Sequence, residues 1–165
     1  MHRWSINCNG DRMATDVREA DVHAVLERRR VRYEVHPYYL VSERRPVGAP
    51  RVDQRVKAGF DVDLFATADK MQLPRFHSEE GHTVVQYFEA VAQDVQSKIG
   101  QRCTIEVIPC VESVVLDTHE HLQPEVMLRI RISHDRGLDQ PEGPAEEQAL
   151  TAIRETLHKL DVRQS

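Results

Sequence analysis

The pattern that most constrains the fold is the spacing of apolar residues along residues 60–160, which changes between that of a strand and that of a helix. Residues 82–99 carry apolar side chains every three or four positions, as one face of a helix does. Strict alternation of apolar and polar residues marks the strands. The predicted strands are 60–66, 103–108, 113–117 and 125–133. A last helix is predicted from Pro144, because Leu150, Ile153, Leu157 and Leu160 form one stripe.

The order strand, helix, three strands, helix predicts an α+β fold. We expect a two-layer sandwich, in which a mixed sheet of four or five strands has its two main helices on one face. This domain is predicted to span residues 59–165. The sequence alone does not place its strands in register.

The part of the chain before residue 59 is predicted to be an appended arm. Residues 1–13 show no period and are interpreted as a disordered leader. Residues 14–58 are interpreted as a helix capped by Thr15 or Asp16, a short strand at 31–35 and a long loop at 42–58.

Composition predicts a soluble chain without a prosthetic group. The longest apolar runs are a few residues, too short to cross a membrane. Three cysteines without paired spacing argue against a disulfide framework and favour a cytoplasmic location with reduced thiols. No cofactor motif is present, so we expect no cofactor.

Charge is distributed unevenly. Residues 1–60 contain 12 Lys/Arg and 8 Asp/Glu, whereas residues 61–165 contain 10 and 19. A basic arm of this kind favours either an anionic partner, with nucleic acid binding through residues 28–57, or packing on the acidic remainder of the same chain or of a second copy. The candidate binding residues are Arg28, Arg29, Arg30, Arg44, Arg45, Arg129 and Arg131. We expect Arg129 and Arg131 to pair with Glu106 or Glu112 on the exposed face of the sheet.

Chain direction suggests a cluster of polar residues at one end of the sheet. Helix 82–99 ends near the start of strand 102–108, so it begins near that strand's far end, and the hairpin brings the end of strand 125–133 back to the same edge. The candidate catalytic residues there are His82, His134, Asp135 and Cys110. Two imidazoles and a carboxylate could support acid–base hydrolysis, and a cysteine could act as a nucleophile. No recognised catalytic motif accompanies them.

His119 and His121 resemble half of a metal site, because a His-x-His pair on an extended segment places both rings on one side. His134 is the tempting third ligand. A ten-residue strand would separate it from the pair by roughly 33 Å. We therefore interpret the pair as part of a solvated turn.

The element order over residues 82–160 is similar to that of double-stranded RNA-binding domains. With strand 60–66 added, it also looks like the domain of ribosome hibernation factors. The resemblance implies the fold and contact with RNA through lysines at the start of the last helix or along the helices. This chain has Gly143-Pro144-Ala145-Glu146-Glu147-Gln148 at the start of the last helix, which is acidic and would repel phosphate.

The leading functional hypothesis is a non-enzymatic binding module that self-associates, because identical chains supply both a basic arm and an acidic body. Two alternatives stay open. One is a small hydrolase that uses His82, His134 and Asp135. The other is RNA or ribosome binding through the arginine-rich arm.

Overall fold

The computed structural model describes residues 3–8, 11–42, 54–66, 79–110, 125–134 and 143–165. These residues form an α+β fold of three helices and a five-stranded mixed sheet, with a separate two-stranded hairpin. The predicted fold class is confirmed. The elements are β1 (Arg3–Cys8), β2 (Asp11–Arg18), α1 (Glu19–Arg29), β3 (Val31–Ser42), β4 (Gln54–Ala66), α2 (Glu79–Ile99), β5 (Cys103–Pro109), β6 (Glu125–His134), α3 (Pro144–Lys159) and β7 (Arg163–Gln164).

The main sheet has the strand order β5-β6-β4-β3-β7. All neighbouring strands are antiparallel except β3 and β7, whose parallel pairing makes the sheet mixed. Strand β4 lies at the centre and pairs with β3 on one side and β6 on the other. It therefore joins two hairpins that are far apart in sequence.

The hydrophobic core lies between the sheet and the helices. Helix α2 lies between α1 and α3 and also packs on β5. Its apolar stripe supplies Val84, Phe88, Val91, Val95 and Ile99, all of them buried. The sheet supplies alternate residues of its central strands, including Val62, Leu64, Leu128 and Ile130. The stripe that the sequence predicted for α2 is thus the core face.

The helix ends follow the predicted local chemistry. Gly100, directly after α2, has a φ of 77°, which is the left-handed conformation that glycine adopts without strain. Pro144 is the first residue of α3, where its missing N–H costs no hydrogen bond.

The N-terminal region differs from the prediction. Strand β1 and the start of β2 occupy residues that were predicted to be a disordered leader. Thr15 and Asp16 lie in β2 and do not cap a helix, because α1 begins at Glu19. Val17, at the end of β2, is buried in the core. The hairpin is thereby tied to the rest of the molecule.

The predicted boundary at residue 58 lies inside β4. Strand β3 is longer than the predicted strand 31–35, and β4 begins before the predicted strand 60–66, so part of the expected loop is extended hairpin. Residues 43–53 of that loop and the predicted strand 113–117 lie outside the described residues.

Candidate functional site

The structure separates the two histidines of the predicted catalytic cluster. Strand β6 pairs directly with β5 in the antiparallel sense, and His134 is the register partner of Cys103. Strand β6 thus ends beside the start of β5, where α2 has just finished. His82 lies at the other end of α2, whose 21 residues span about 30 Å. The two imidazoles therefore do not share one site in this fold.

His134 lies in an enclosed position. Its side chain is 2% exposed, and its Nε2 is 3.5 Å from Oε2 of Glu146, whose side chain is 0% exposed. His134 Nδ1 is buried without a hydrogen-bond partner in the described part of the chain. A general base must reach the proton that it removes. The contact with Glu146 instead joins the end of β6 to the first turn of α3.

Cys110 lies at the opposite end of β5 from His134. Its backbone N–H donates to the carbonyl oxygen of Met127 at 3.1 Å, and its Sγ is 3.6 Å from the carbonyl oxygen of Ile108. Strand β5, which begins at Cys103 beside His134, therefore separates the thiol of Cys110 from that histidine. Asp135, the remaining member of the predicted cluster, lies outside the described residues.

Chemical modification can test this placement. His82 is exposed, so we expect diethyl pyrocarbonate to modify it readily in the folded protein. We expect His134 to be protected until the chain unfolds, because both its ring and its partner are enclosed. Mass spectrometry of peptides from native and urea-treated samples would measure both rates. Equal reactivity of the two histidines in the native state would contradict the structure.

No metal centre is visible in the parts of the chain that the structure describes, since no group of three or more His, Cys, Asp or Glu residues could hold an ion there. His119 and His121 lie outside these parts. Strand β6 spans ten residues and has His134 at its far end.

The face of the sheet opposite the helices carries a ladder of charged side chains. Arg129 on β6 donates two hydrogen bonds to Asp63 on β4, at 2.7 and 3.1 Å. Arg131 donates two to Asp61, at 2.9 and 3.1 Å. The expected pairing with Glu106 is wrong for the principal contacts, and Glu112 lies outside the described residues. Glu106 is the register neighbour of Arg131, but the carboxylates that receive both guanidiniums come from β4.

The ladder engages the guanidinium groups of Arg129 and Arg131, which the sequence suggested as binding groups for an anionic partner. The side chains of Asp61 and Asp63 are only 10% and 4% exposed. The hydrogen bond to Asp63 raises the pKa of Arg129, and the bond to Asp61 raises that of Arg131. Both arginines remain charged but face a buried carboxylate across the strand. The ladder therefore joins β4 to β6 through two bidentate ion pairs, which favour the observed register of these strands.

The arginines in the last turn of α1 are also engaged. Arg28 and Arg29 both form ion pairs with Glu80 at the start of α2. The hydrogen bond from Arg28 lowers the pKa of Glu80. Arg30, one residue later, is exposed and has a left-handed backbone. Arg44 and Arg45 lie outside the described residues.

The hairpin of β3 and β4 continues beyond the sheet as a two-stranded ribbon. Strand β6 stops pairing with β4 at Gly59, yet four further β3–β4 pairs follow, from Tyr39↔Lys57 to Ser42↔Gln54. On its other side, β3 pairs with β7 only at Arg32 and Tyr33. The ribbon, residues 39–42 and 54–57, therefore extends roughly 13 Å past the sheet.

The ribbon carries an apolar surface. In the described part of the chain, Tyr39 and Leu40 are the exposed large hydrophobic residues, at 47% and 39% exposure. Both lie in the ribbon and next to each other in sequence. A two-stranded hairpin is at best marginally stable in water without further packing.

No family model, curated protein or solved structure matches this chain. Across the described residues, no helix is long and apolar enough to cross a membrane.

Sequence reasoning missed the carboxylates of the ladder, although a signal was present. Asp61 and Asp63 alternate with apolar residues on one predicted strand, and Arg129 and Arg131 do the same on another. Equal spacing and opposite sign make the two strands complementary neighbours. The ribbon had no comparable signal, because prolines and charges in the same region favoured a loop.

Proposed function

We propose that this protein is a non-enzymatic interaction module that self-associates through its ribbon. The observation that carries the proposal is the projecting pair of strands with Tyr39 and Leu40 exposed at its base. Burial of these side chains in a partner would stabilise a ribbon that is marginal by itself. An extended ribbon also offers backbone groups that a partner's strand can bind.

Charge supports a second copy of the chain as the partner. Residues 43–57 comprise the segment between the two strands of the ribbon and the second of those strands. They contain five Lys/Arg and two Asp/Glu. Residues 58–165 contain 10 Lys/Arg and 19 Asp/Glu. A two-fold arrangement would place each basic ribbon on the acidic body of the other copy, so that the same contact is made twice.

Sedimentation velocity over a range of protein concentrations tests this proposal. We expect a concentration-dependent dimer that weakens at high salt, because part of the attraction is electrostatic and is screened. The double substitution Tyr39→Ser and Leu40→Ser should shift the protein to the single chain. Gln101→Ser, at an exposed position after α2, is the matched control and should leave the dimer unchanged.

Two results would overturn self-association. One is a single-chain mass at every concentration, and the other is an unchanged dimer in the double variant. Where the double variant dissociates, its circular dichroism spectrum must match that of the wild type, so that unfolding is not mistaken for dissociation.

A second candidate function is nucleic acid binding by the same ribbon, because its connecting segment is basic. The pairing of Arg28 and Arg29 with Glu80, and of Arg129 and Arg131 with aspartates, leaves residues 43–57 to supply the charge. Binding of this kind would fall steeply with salt. Co-purifying nucleic acid that is lost on neutral substitution of Arg44 and Arg45 would favour it over self-association.

A further inference from the structure

A groove with a volume of about 430 Å³ lies between α2 and α3. The two helices are antiparallel, because Glu146 in the first turn of α3 contacts His134 beside Cys103, just after α2 has ended. Helix α2 lines the groove from Tyr87 to Ile99, and α3 lines it from Gln148 to Lys159. The lining positions recur every three or four residues, so each helix contributes one continuous edge.

The floor of the groove is apolar. Val91, Val95 and Ile99 of α2 belong to the hydrophobic core, and Ala152 of α3 packs against that core. Ala152 has the smallest of these side chains and is partly exposed. The short alanine therefore leaves room above the floor, in the middle of the α3 edge.

The rim of the groove keeps a carboxylate that no described cation neutralises. Lys98 contacts Asp94 at 2.9 Å, and Lys159 contacts Glu19 of α1 at 3.0 Å, so both lysines of the rim are paired. Glu155 lines the groove, is exposed, and forms no ion pair with the residues that the structure describes. The rim therefore favours a group that carries a hydrogen-bond donor or a positive charge.

The same preference holds for the two helices as a whole. Together α2 and α3 contain seven Asp/Glu and three Lys/Arg. Residues 43–57, which join and complete the ribbon, have the opposite balance, with five Lys/Arg and two Asp/Glu. The ribbon and the helical layer are thus complementary in charge.

Tyr39 of the ribbon matches the chemistry of the groove. Its side chain is 47% exposed. A tyrosine ring is apolar over most of its surface, but its hydroxyl needs a polar partner when it is buried. The floor of the groove can hold the ring, and the carboxylates of the rim can accept the hydroxyl hydrogen. Tyrosine is also common among the anchors of protein interfaces.

The strand geometry of the ribbon distinguishes Tyr39 from Leu40. Consecutive residues of a strand lie on opposite faces, so these two side chains cannot enter one groove together. Lys57 is the register partner of Tyr39 and lies on the same face as its ring. Insertion of Tyr39 therefore brings an ammonium group to the acidic rim and leaves Leu40 on the other face.

We propose that the groove between α2 and α3 binds Tyr39 of a second copy of this chain. This inference rests on the proposed self-association and adds the surface that receives the ribbon. In a two-fold dimer each copy supplies one ribbon and one groove, so the contact is made twice. Pairing of the two ribbons with each other would instead place two basic segments side by side, which is unfavourable.

Single substitutions in the ribbon test the assignment of the anchor. Tyr39→Ser should raise the Kd of the dimer about thirtyfold, as truncation of an aromatic anchor does. Leu40→Ser should raise it by less than about threefold, because residues around an anchor contribute little. Sedimentation velocity would measure both constants. Equal effects of the two substitutions would contradict insertion of Tyr39.

A substitution in the groove tests the receiving surface. Ala152→Leu fills the space above the floor and should raise the Kd of the dimer about tenfold or more, since the ring would overlap the new side chain. Thr151→Leu, at an exposed position of α3 outside the groove, is the matched control and should leave the Kd unchanged. Both variants must retain the circular dichroism spectrum of the wild type. An unchanged Kd in Ala152→Leu would overturn the proposal.

Photo-crosslinking locates the contact directly. The full chain with p-benzoylphenylalanine in place of Tyr39 is prepared in ¹⁴N and ¹⁵N forms, which are mixed before irradiation. We expect mass spectrometry to find products that join position 39 of one form to residues 87–99 or 148–159 of the other. Products that join two ribbons, or position 39 to any other segment, would overturn the groove and leave self-association standing. A single-chain mass at every concentration would overturn both.

Discussion

Gly59→Ala is expected to destabilise the protein by about 3 kcal/mol or more, because the new methyl group has no room. A Cβ atom at this position would lie 1.8 Å from the carbonyl oxygen of Ile132 and 2.8 Å from its carbonyl carbon. Both obstacles are backbone atoms of the paired strand β6, so no side-chain rotation can relieve the clash. Urea denaturation followed by circular dichroism would measure the loss.

Gly100→Ala is the matched control for this substitution. Gly100 has a left-handed φ of 77°, but a methyl group added there would meet nothing within 4 Å. We expect a loss of about 1 kcal/mol from backbone strain alone. Similar losses at the two positions would show that the close approach of β4 to β6 is not as tight as the structure describes.

Asp63→Ala is expected to cost about 3 kcal/mol in the free energy of unfolding, near the lower end of the range for a broken buried ion pair. The carboxylate is 4% exposed and receives two hydrogen bonds from Arg129, whose own side chain is 33% exposed. Removal of the carboxylate leaves a half-buried cation without its principal partner. The partial exposure of Arg129 keeps the expected loss from being larger.

A double-mutant cycle identifies the origin of this loss. Replacement of both residues by leucine removes the unpaired charge together with its partner and should recover much of the stability. If the loss in the double variant equals the sum of the losses in the two single leucine variants, the coupling between Asp63 and Arg129 is negligible. The ladder would then not be a source of register specificity.

The fold class could be predicted from the sequence because, in the second half of the chain, the spacing of apolar residues and the residues at the helix ends indicate the same elements. The stripe from Val84 to Ile99, the cap at Gly100 and the start of α3 at Pro144 were all predictable, since each depends on residues close in sequence. The N-terminal hairpin was not, because Asp11–Arg18 shows no clear alternation.

The main error of the sequence prediction was the pairing of strands that are distant in sequence. Because of this error, the predicted catalytic cluster placed His82 and His134 together. Whether His134 lies near His82 depends on which strand pairs with β5, and alternation within a strand carries no information about its neighbour. Direct β5–β6 pairing reverses the end at which His134 lies. The left-handed backbone of Arg30 was also beyond sequence reasoning, since arginine is not a typical residue for that conformation.

The central position of β4 has a consequence for synthesis on the ribosome. Asp61 and Asp63 bind arginines that are 70 and 66 residues later in the chain. While the intervening chain is being made, the nascent β3–β4 hairpin presents one unpaired edge and the apolar side chains of Val62 and Leu64. Such edges are prone to wrong pairing and aggregation. The order of the strands thus leaves the β3–β4 hairpin without its neighbour in the sheet until β6 has been synthesised.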